Sequence, residues 1–141
     1  MSSPLHATVV ARWFSGQGWR AVVLRGASGV GKSDLALRLV GAGWRLVADD
    51  YAHLFASGDG LYACPPDRIR GRIEVRGVGI LSIPTLDIAR VVLVLDLAAG
   101  PVERLPEHET ATICGVVLPR LRLDPREASA GEKVAAAIAR L

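Results

Sequence analysis

The sequence predicts an α/β domain with a mixed β-sheet and flanking helices, and three observations support this prediction. A phosphate-loop motif at residues 26–33 stands between an apolar strand-like run and an amphipathic helix-like run. Residues 91–96 form an apolar run of the kind found in central strands. An alanine-rich segment at 127–141 carries apolar residues at helical spacing. Strands that alternate with helical segments are typical of this fold class.

Length and composition indicate one domain. The chain has 141 residues, of which half are apolar, so we expect residues 1–141 to form a single phosphate-loop domain without an N-terminal regulatory domain. No apolar run reaches the length of about 18 residues that suggests a membrane span, and the first residues do not resemble a signal peptide. We therefore expect a cytoplasmic protein with no membrane partner.

Charge and cysteine usage narrow the function classes further. The net charge of +3 comes from dispersed arginines, without the block of like charges typical of a nucleic-acid-binding arm, so we expect no nucleic acid partner. Cys64 and Cys114 are far apart and form no C-x-x-C motif. This pattern indicates structural thiols in a reducing compartment.

The N-terminal part predicts a β-hairpin followed by a helix. Residues 8–14 and 19–25 are strand-like and are joined by a glycine-bearing turn at 15–18. After the phosphate-loop motif, Leu35 and Leu39 fall on one stripe of a helix. We expect this helix to pack on one face of the sheet, with the C-terminal helix nearby.

Three further strands are predicted before the middle of the chain. Residues 44–48 form a short apolar run that ends at two aspartates. Residues 53–56 and 61–64 flank a glycine-bearing turn at 57–60, which predicts a second hairpin.

The C-terminal half predicts a central strand, two edge strands and a closing helix. Residues 91–96 are the most apolar run of the chain and are assigned to the centre of the sheet. Residues 116–118 and 121–123 are strand-like but are separated by Pro119, which favours edge positions. The predicted apolar face of the closing helix, at 127–141, consists of Val134, Ile138 and Leu141.

The motif G-x-x-x-x-G-K-[ST] predicts a nucleoside-phosphate site. Backbone N–H groups can hold a polyphosphate only where side chains leave room, which explains the glycines. Lys32 supplies a positive charge for the β- and γ-phosphates, and Ser33 offers a hydroxyl to Mg²⁺. The alternative is a glycine-rich turn with a surface lysine, and the flanking strand and helix disfavour it. The expected nucleotide contacts are Gly26, Ala27, Ser28, Gly29, Val30, Gly31, Lys32 and Ser33.

Asp49 and Asp50 follow the lysine by fewer than 20 residues and stand at the end of a predicted strand. Consecutive residues of an extended chain point to opposite sides, so the two carboxylates need not share one role. One can accept a proton from a hydroxyl while the other orients Mg²⁺ or its water shell. The alternative is a solvated acidic turn, because aspartate is common at strand ends.

A third cluster lies at residues 73–80. Glu74 and Arg76 alternate with apolar neighbours, which predicts that both point to one face of a strand. Gly77 and Gly79 allow the backbone to approach a ligand or a metal closely. By itself the segment favours an ordinary edge strand with an ion pair.

In order and spacing, Gly-Lys-Ser, Leu-Val-Ala-Asp-Asp and Glu-Val-Arg-Gly-Val-Gly-Ile together resemble the catalytic domain of the HPr kinase/phosphorylase family. The resemblance covers residues 6–124, and the chain resembles the short proteobacterial forms of the family. It implies a fold related to phosphoenolpyruvate carboxykinase, ATP and Mg²⁺ as cofactors, and homo-oligomers, often hexamers. It also implies a kinase that phosphorylates a serine of HPr, the phosphocarrier of the phosphotransferase system, and that reverses the reaction with inorganic phosphate.

Within this resemblance, the acidic residues receive roles. Asp50 matches the acid/base aspartate of the family, with Asp49 beside it. Glu74 matches the second Mg²⁺ ligand, and Ser33 matches the first. Lys32 matches the catalytic lysine of the phosphate loop.

Other parts of the resemblance are less regular. His6 aligns with an active-site histidine, although a histidine near a terminus is more often a bystander. Arg104 resembles a catalytic arginine of an Asp-Arg-Leu segment, and Arg120 falls near a Pro-Lys segment associated with dephosphorylation. The chain departs from the family pattern by extra residues at 15–18 and by the lack of a glycine-bearing loop after Ile80, a loop that helps contact the protein substrate.

Three other functions compete with the protein kinase. One is a kinase of the same fold that acts on a small hydroxyl compound, and another is a nucleotide-sensing module without catalysis. The third is a nucleic-acid binder, which only the arginines of residues 68–76 suggest.

Overall fold

The computed structural model describes residues 4–66, 72–104 and 106–141, which form a mixed α/β fold. The strands are β1 (Thr8–Phe14), β2 (Gly18–Arg25), β3 (Arg45–Ala48), β4 (His53–Ser57), β5 (Gly60–Cys64), β6 (Arg72–Val75), β7 (Gly79–Ser82), β8 (Ala89–Leu97), β9 (Glu109–Ile113) and β10 (Val116–Leu123). The helices are α1 (Lys32–Gly41) and α2 (Ala130–Ala139). No helix in these ranges has the length and apolarity needed to cross a bilayer. Arg68 and Arg70, two of the clustered arginines, lie outside the described residues.

Strand β8 lies at the centre of the main sheet, which has eight strands within the described residues. On one edge β8 runs parallel to β2. On its other edge, its first residues pair antiparallel with β5 and its last residues pair parallel with β10. The strand order is β3-β1-β2-β8-β10-β9, with β4 attached through β5. The predicted mixed sheet and the central position of residues 91–96 are confirmed.

Both helices pack on the same face of this sheet, as expected. Leu39 of α1 and Ile138 of α2 are buried in one apolar cluster with Leu24 of β2. Because successive strand residues point to opposite faces, the neighbouring Val23 belongs to a second buried cluster, together with Leu61 of β5. The α1 helix is thereby fixed directly behind the end of β2.

The strand around Pro119 differs from the prediction. Residues 116–118 and 121–123, expected as two edge strands, form the single strand β10, which lies between β8 and β9. The parallel ladder with β8 begins at Arg120, so the proline precedes it. The edge position belongs instead to β9, which the sequence did not predict.

The closing helix is shorter than predicted. It spans Ala130–Ala139 rather than residues 127–141. Val134 and Ile138 are buried as expected, whereas Leu141 is 45% exposed because it lies beyond the end of α2. The expectation that Leu141 belongs to the buried face was therefore wrong.

Asp96, near the carboxyl end of β8, connects this strand to β2 and β10. Arg25 of β2 donates a hydrogen bond from Nε to Asp96 Oδ1 at 2.8 Å. Arg120 of β10 donates to the same carboxylate and also to Glu109 of β9, at 2.7 Å. Burial raises the pKa of Asp96, but the hydrogen bonds from the two arginines outweigh this effect and lower the pKa below its usual value. The ionised carboxylate thus stabilises the sheet near the carboxyl end of β2, where the phosphate loop begins.

We expect Asp96→Asn to lower the free energy of unfolding at neutral pH by about 2 kcal/mol, because two partly buried guanidinium groups lose their shared carboxylate. The pKa of Asp96 is lower in the folded than in the unfolded state. Its stabilisation is therefore fully present above about pH 4 and is lost as the pH falls towards the folded-state pKa. Urea unfolding at neutral pH and in acid measures both effects.

Asp59→Asn is the matched control, because the Asp59 side chain is 93% exposed and lies 3.5 Å from Arg90. We expect this change to alter the stability little at either pH, since exposed ion pairs contribute little. Equal losses in the two variants would contradict the role given to Asp96.

Candidate functional site

The phosphate loop, residues 26–31, connects the end of β2 to the start of α1. A Cβ atom at Gly26 would lie 2.8 Å from the carbonyl oxygen of Leu97, so only glycine fits there. Gly31 has a φ of 112°, in the left-handed region, and its carbonyl oxygen accepts a hydrogen bond from the Leu35 N–H at 3.0 Å. No side chain caps the start of α1. An uncapped helix N-terminus behind a tight turn is suited to bind an anion.

The Lys32 ammonium group is buried against the loop that precedes it. The residue is 5% exposed, and its Nζ donates hydrogen bonds to the carbonyl oxygens of Gly26 at 2.8 Å and Ala27 at 3.1 Å. Within the described residues, no carboxylate forms an ion pair with this lysine. A buried cation neutralised by no protein anion is suited to a phosphate group.

The Asp49 carboxylate is at the centre of the hydrogen bonds behind the loop. It is 8% exposed, and its Oδ1 accepts hydrogen bonds from Ser33 Oγ at 2.7 Å and from Thr8 Oγ1 at 3.1 Å. These contacts join β3, α1 and β1 at one point. The first aspartate of the pair therefore lies beside the hydroxyl that the sequence predicted as a Mg²⁺ ligand.

The Asp50 carboxylate points elsewhere, as expected for consecutive residues. Its Oδ1 lies 2.8 Å from His6 Nε2, and its side chain is 59% exposed. The backbone has a φ of 67° at Asp50, and the Tyr51 N–H donates to the Asp49 carbonyl oxygen across a tight turn. His6 is held in place by paired hydrogen bonds between the backbones of Leu5 and Ala52. The second aspartate is thus the accessible one.

The hairpin of β6 and β7 completes a cleft of about 760 Å³. Glu74 lies on β6, whereas Arg76 lies in the turn after it, so the expectation that both share one strand was wrong. Val78 and Ile80 of the hairpin are 67% and 70% exposed. The cleft is lined by Ser28, Gly29, Gly31, Lys32, Ser33, Asp34, Leu37, Asp49, Asp50, Glu74, Val75, Arg76, Gly77, Val78, Gly79 and Ile80. The three sequence clusters therefore meet in one place.

The oxygen donors of this cleft fit Mg²⁺ that is bound together with a phosphate ligand. Ser33, Asp49 and Glu74 line the same cleft as the phosphate loop. Within the described residues, no three His, Cys, Asp or Glu side chains are grouped closely enough to hold a metal by themselves. Mg²⁺ is commonly held by one or two carboxylates plus substrate phosphates, which matches this donor set.

The two arginines singled out in the sequence lie outside the cleft lining. Arg104 is exposed in the segment between β8 and β9, and Arg120 is bound to Asp96 and Glu109. The sequence analysis did not single out Thr8, which is completely buried and donates to Asp49 while it accepts a hydrogen bond from the Asp50 N–H at 3.2 Å. The only signal for it was a polar residue at the start of an apolar strand.

Comparison with known proteins connects the chain to one family. The family model described as HPr Serine kinase C-terminal domain matches residues 16–139. An HPr kinase/phosphorylase of Streptococcus equi subsp. zooepidemicus is 39% identical over 115 residues, which are 72% of this chain and 37% of the relative. An HPr kinase/phosphorylase of Exiguobacterium sibiricum is 50% identical over 66 residues, which are 46% of this chain and 21% of the relative.

The fold is also shared with a solved structure, the Hpr(Ser) kinase/phosphatase from Coxiella burnetii. The two superpose with a TM-score of 0.82, over 99% of this chain and 95% of the other, at 22% sequence identity. The predicted α/β fold is confirmed by this match. The matched part of the chain spans 37% of the length of the streptococcal relative.

We expect Thr8→Val to lower the free energy of unfolding by about 2 kcal/mol, because the buried Asp49 carboxylate loses a donor and the Asp50 N–H loses its acceptor. Thr8→Ser keeps the hydroxyl and loses one methyl group, so its cost should be about 1 kcal/mol. Amide hydrogen exchange at Asp50 distinguishes the loss of the hydrogen bond from the loss of the methyl group. Protection at that amide should fall in the valine variant and persist in the serine variant, and equal protection in both would contradict the bridging role of Thr8.

Proposed function

Because the chain belongs to the HPr Serine kinase C-terminal domain family, we propose that it transfers the γ-phosphoryl group of ATP to a serine of an HPr-like phosphocarrier protein. One observation carries this proposal: the phosphate loop, the aspartate pair and Glu74 line a single cleft. Phosphoryl transfer needs little covalent chemistry from the protein, and its rate comes mainly from positioning and charge stabilisation. A nucleotide site next to an accessible carboxylate meets these needs.

In this proposal Lys32 holds the β- and γ-phosphates of ATP. Its Nζ exchanges the carbonyl oxygens of Gly26 and Ala27 for phosphate oxygens, which carry more negative charge. The Mg²⁺ ion would be held by Ser33, Asp49 and Glu74 and would neutralise charge that develops on the transferred group.

Asp50 is the proposed acid/base. Its carboxylate accepts the proton of the serine hydroxyl while the serine oxygen attacks the γ-phosphorus and ADP leaves. His6 donates a hydrogen bond to the carboxylate and orients it. In the reverse direction, inorganic phosphate attacks the phosphoserine phosphorus, the serine oxygen leaves with a proton from Asp50, and pyrophosphate forms.

The exposed apolar residues of the β6–β7 hairpin support a protein acceptor rather than a small hydroxyl compound. The outer wall of the cleft is this hairpin, whose Val78 and Ile80 expose most of their apolar surface. Exposed apolar side chains beside a reactive site are typical of surfaces that bind another protein. The acceptor serine would therefore enter on a segment that covers these two residues.

The proposal is tested by mixing the purified protein with HPr, ATP and Mg²⁺ and measuring phosphoserine by mass spectrometry. We expect one phosphoserine per HPr, and its loss after addition of inorganic phosphate would demonstrate the reverse reaction. Tight binding of ATP without transfer to HPr or to small hydroxyl compounds would instead favour a nucleotide-sensing module.

Lys32→Ala should remove detectable ATP binding and transfer, because the buried cation that faces the phosphates is lost. Lys133→Ala is the matched control, since this lysine lies on α2 and pairs with Glu127 at 2.8 Å. We expect the control to bind ATP like the unmodified protein. Isothermal titration calorimetry measures the affinities, and wild-type affinity in Lys32→Ala would contradict the assignment.

Asp50→Asn should keep ATP binding and lower the transfer rate by about 100-fold or more, because an amide cannot accept the serine proton. Asp59→Asn changes an exposed aspartate on the turn between β4 and β5 and should have no effect. Quench-flow measurement of HPr phosphorylation gives both rates. A full rate in the Asp50 variant would refute its role as acid/base.

A further inference from the structure

The turn that follows β10 packs against the phosphate loop from outside the cleft. We call residues 124–127 the β10–α2 turn. Pro125 Cγ lies 3.5 Å from the position that a Cβ atom of Gly31 would occupy. Arg38 of α1 donates hydrogen bonds to the carbonyl oxygens of Pro125 and Glu127. The β10–α2 turn is therefore fixed against the last glycine of the loop and against Arg38 in the last turn of α1.

Asp124 organises this turn from within. The residue is 8% exposed, and its carboxylate accepts hydrogen bonds from the Arg126 N–H at 2.9 Å and the Gly100 N–H at 3.1 Å. The Arg126 guanidinium also donates two longer bonds, each 3.3 Å, to the same carboxylate. The Arg126 side chain and these backbone donors hold the pKa of Asp124 well below its usual range.

The Arg126 side chain is 68% exposed, so a ligand can reach it while it is paired with Asp124. Two backbone N–H groups would still satisfy the Asp124 carboxylate after the guanidinium departs. An exposed guanidinium on a turn that packs against a phosphate loop is suited to contact a bound ligand, because its planar face stacks on aromatic rings and its five N–H groups donate hydrogen bonds.

The two flanks of the phosphate loop differ in charge. Asp49, Asp50 and Glu74 lie on the flank that opens into the cleft, where phosphate transfer is proposed. Pro125 packs against the loop at Gly31, and Arg126 follows it in the same turn; neither residue is part of the cleft lining. If the terminal phosphate faces the carboxylates, the nucleoside leaves the loop on the other flank.

From this placement we propose that the β10–α2 turn is the wall of the nucleoside subsite and that Arg126 contacts the base or ribose of the bound nucleotide. The proposal rests on the nucleotide-dependent activity proposed above. Arg126 is in this view a substrate-binding residue, and Asp124 holds it in place until the nucleotide arrives.

The test compares ATP with inorganic tripolyphosphate, which has the same phosphate chain but no nucleoside. In Arg126→Ala we expect the affinity for Mg²⁺-ATP to fall about tenfold, as is typical for the loss of a stacked or hydrogen-bonded guanidinium. The affinity for Mg²⁺-tripolyphosphate should stay unchanged. Arg126→Lys keeps the charge but not the planar group, so it should lose most of the same ATP affinity.

Arg140→Ala is the control, because it removes one exposed positive charge after the end of α2. Isothermal titration calorimetry on all variants decides between the outcomes. An equal loss for both ligands would mean a contact to phosphate and would overturn the nucleoside subsite, as would unchanged ATP affinity in Arg126→Ala. If the unmodified protein binds neither ligand, the proposed function fails as well, whereas normal binding in every variant removes only this inference.

Discussion

The buried Asp49 carboxylate is the interaction on which the rest of the site depends. A carboxylate that is 8% exposed needs hydrogen-bond donors from the protein, and it obtains them from Ser33 and Thr8. Those donors belong to α1 and β1, while Asp49 itself follows β3. One charged group therefore fixes the start of the helix, the strand behind it and the turn to Asp50. The hydroxyl of Ser33 is oriented by the same bond that satisfies the carboxylate.

The backbone turn at Asp50 converts this arrangement into two separate functions. A φ of 67° is uncommon for a residue other than glycine and costs about 1 kcal/mol or more. It persists because the Asp50 N–H donates to Thr8 and the Tyr51 N–H donates to the Asp49 carbonyl oxygen. The result is that adjacent carboxylates differ in burial and in partners, so one can serve a metal and the other a proton.

The sequence predicted the parts of this fold that local patterns determine. The apolar run at 91–96 became the central strand because a strand that is covered on both faces needs apolar residues at successive positions. Strand β9, Glu109–Ile113, was missed because an edge strand needs few apolar residues. The link between Arg25, Asp96 and Arg120 joins residues that are distant in sequence, so it depends on the pairing of β2, β8 and β10 and has no local signal. Thr8 was missed for the same reason.

The position of Glu74 follows from the residue before it. A two-stranded hairpin is marginally stable by itself, so β6 and β7 need an anchor. Ile73 provides one, because it is 1% exposed and belongs to the apolar cluster of α1 and α2. Since adjacent strand residues point to opposite faces, burial of Ile73 turns Glu74 towards the cleft. An apolar contact with the helix that carries Lys32 therefore sets where the carboxylate of Glu74 lies, so the core of the fold also fixes the geometry of the proposed metal site.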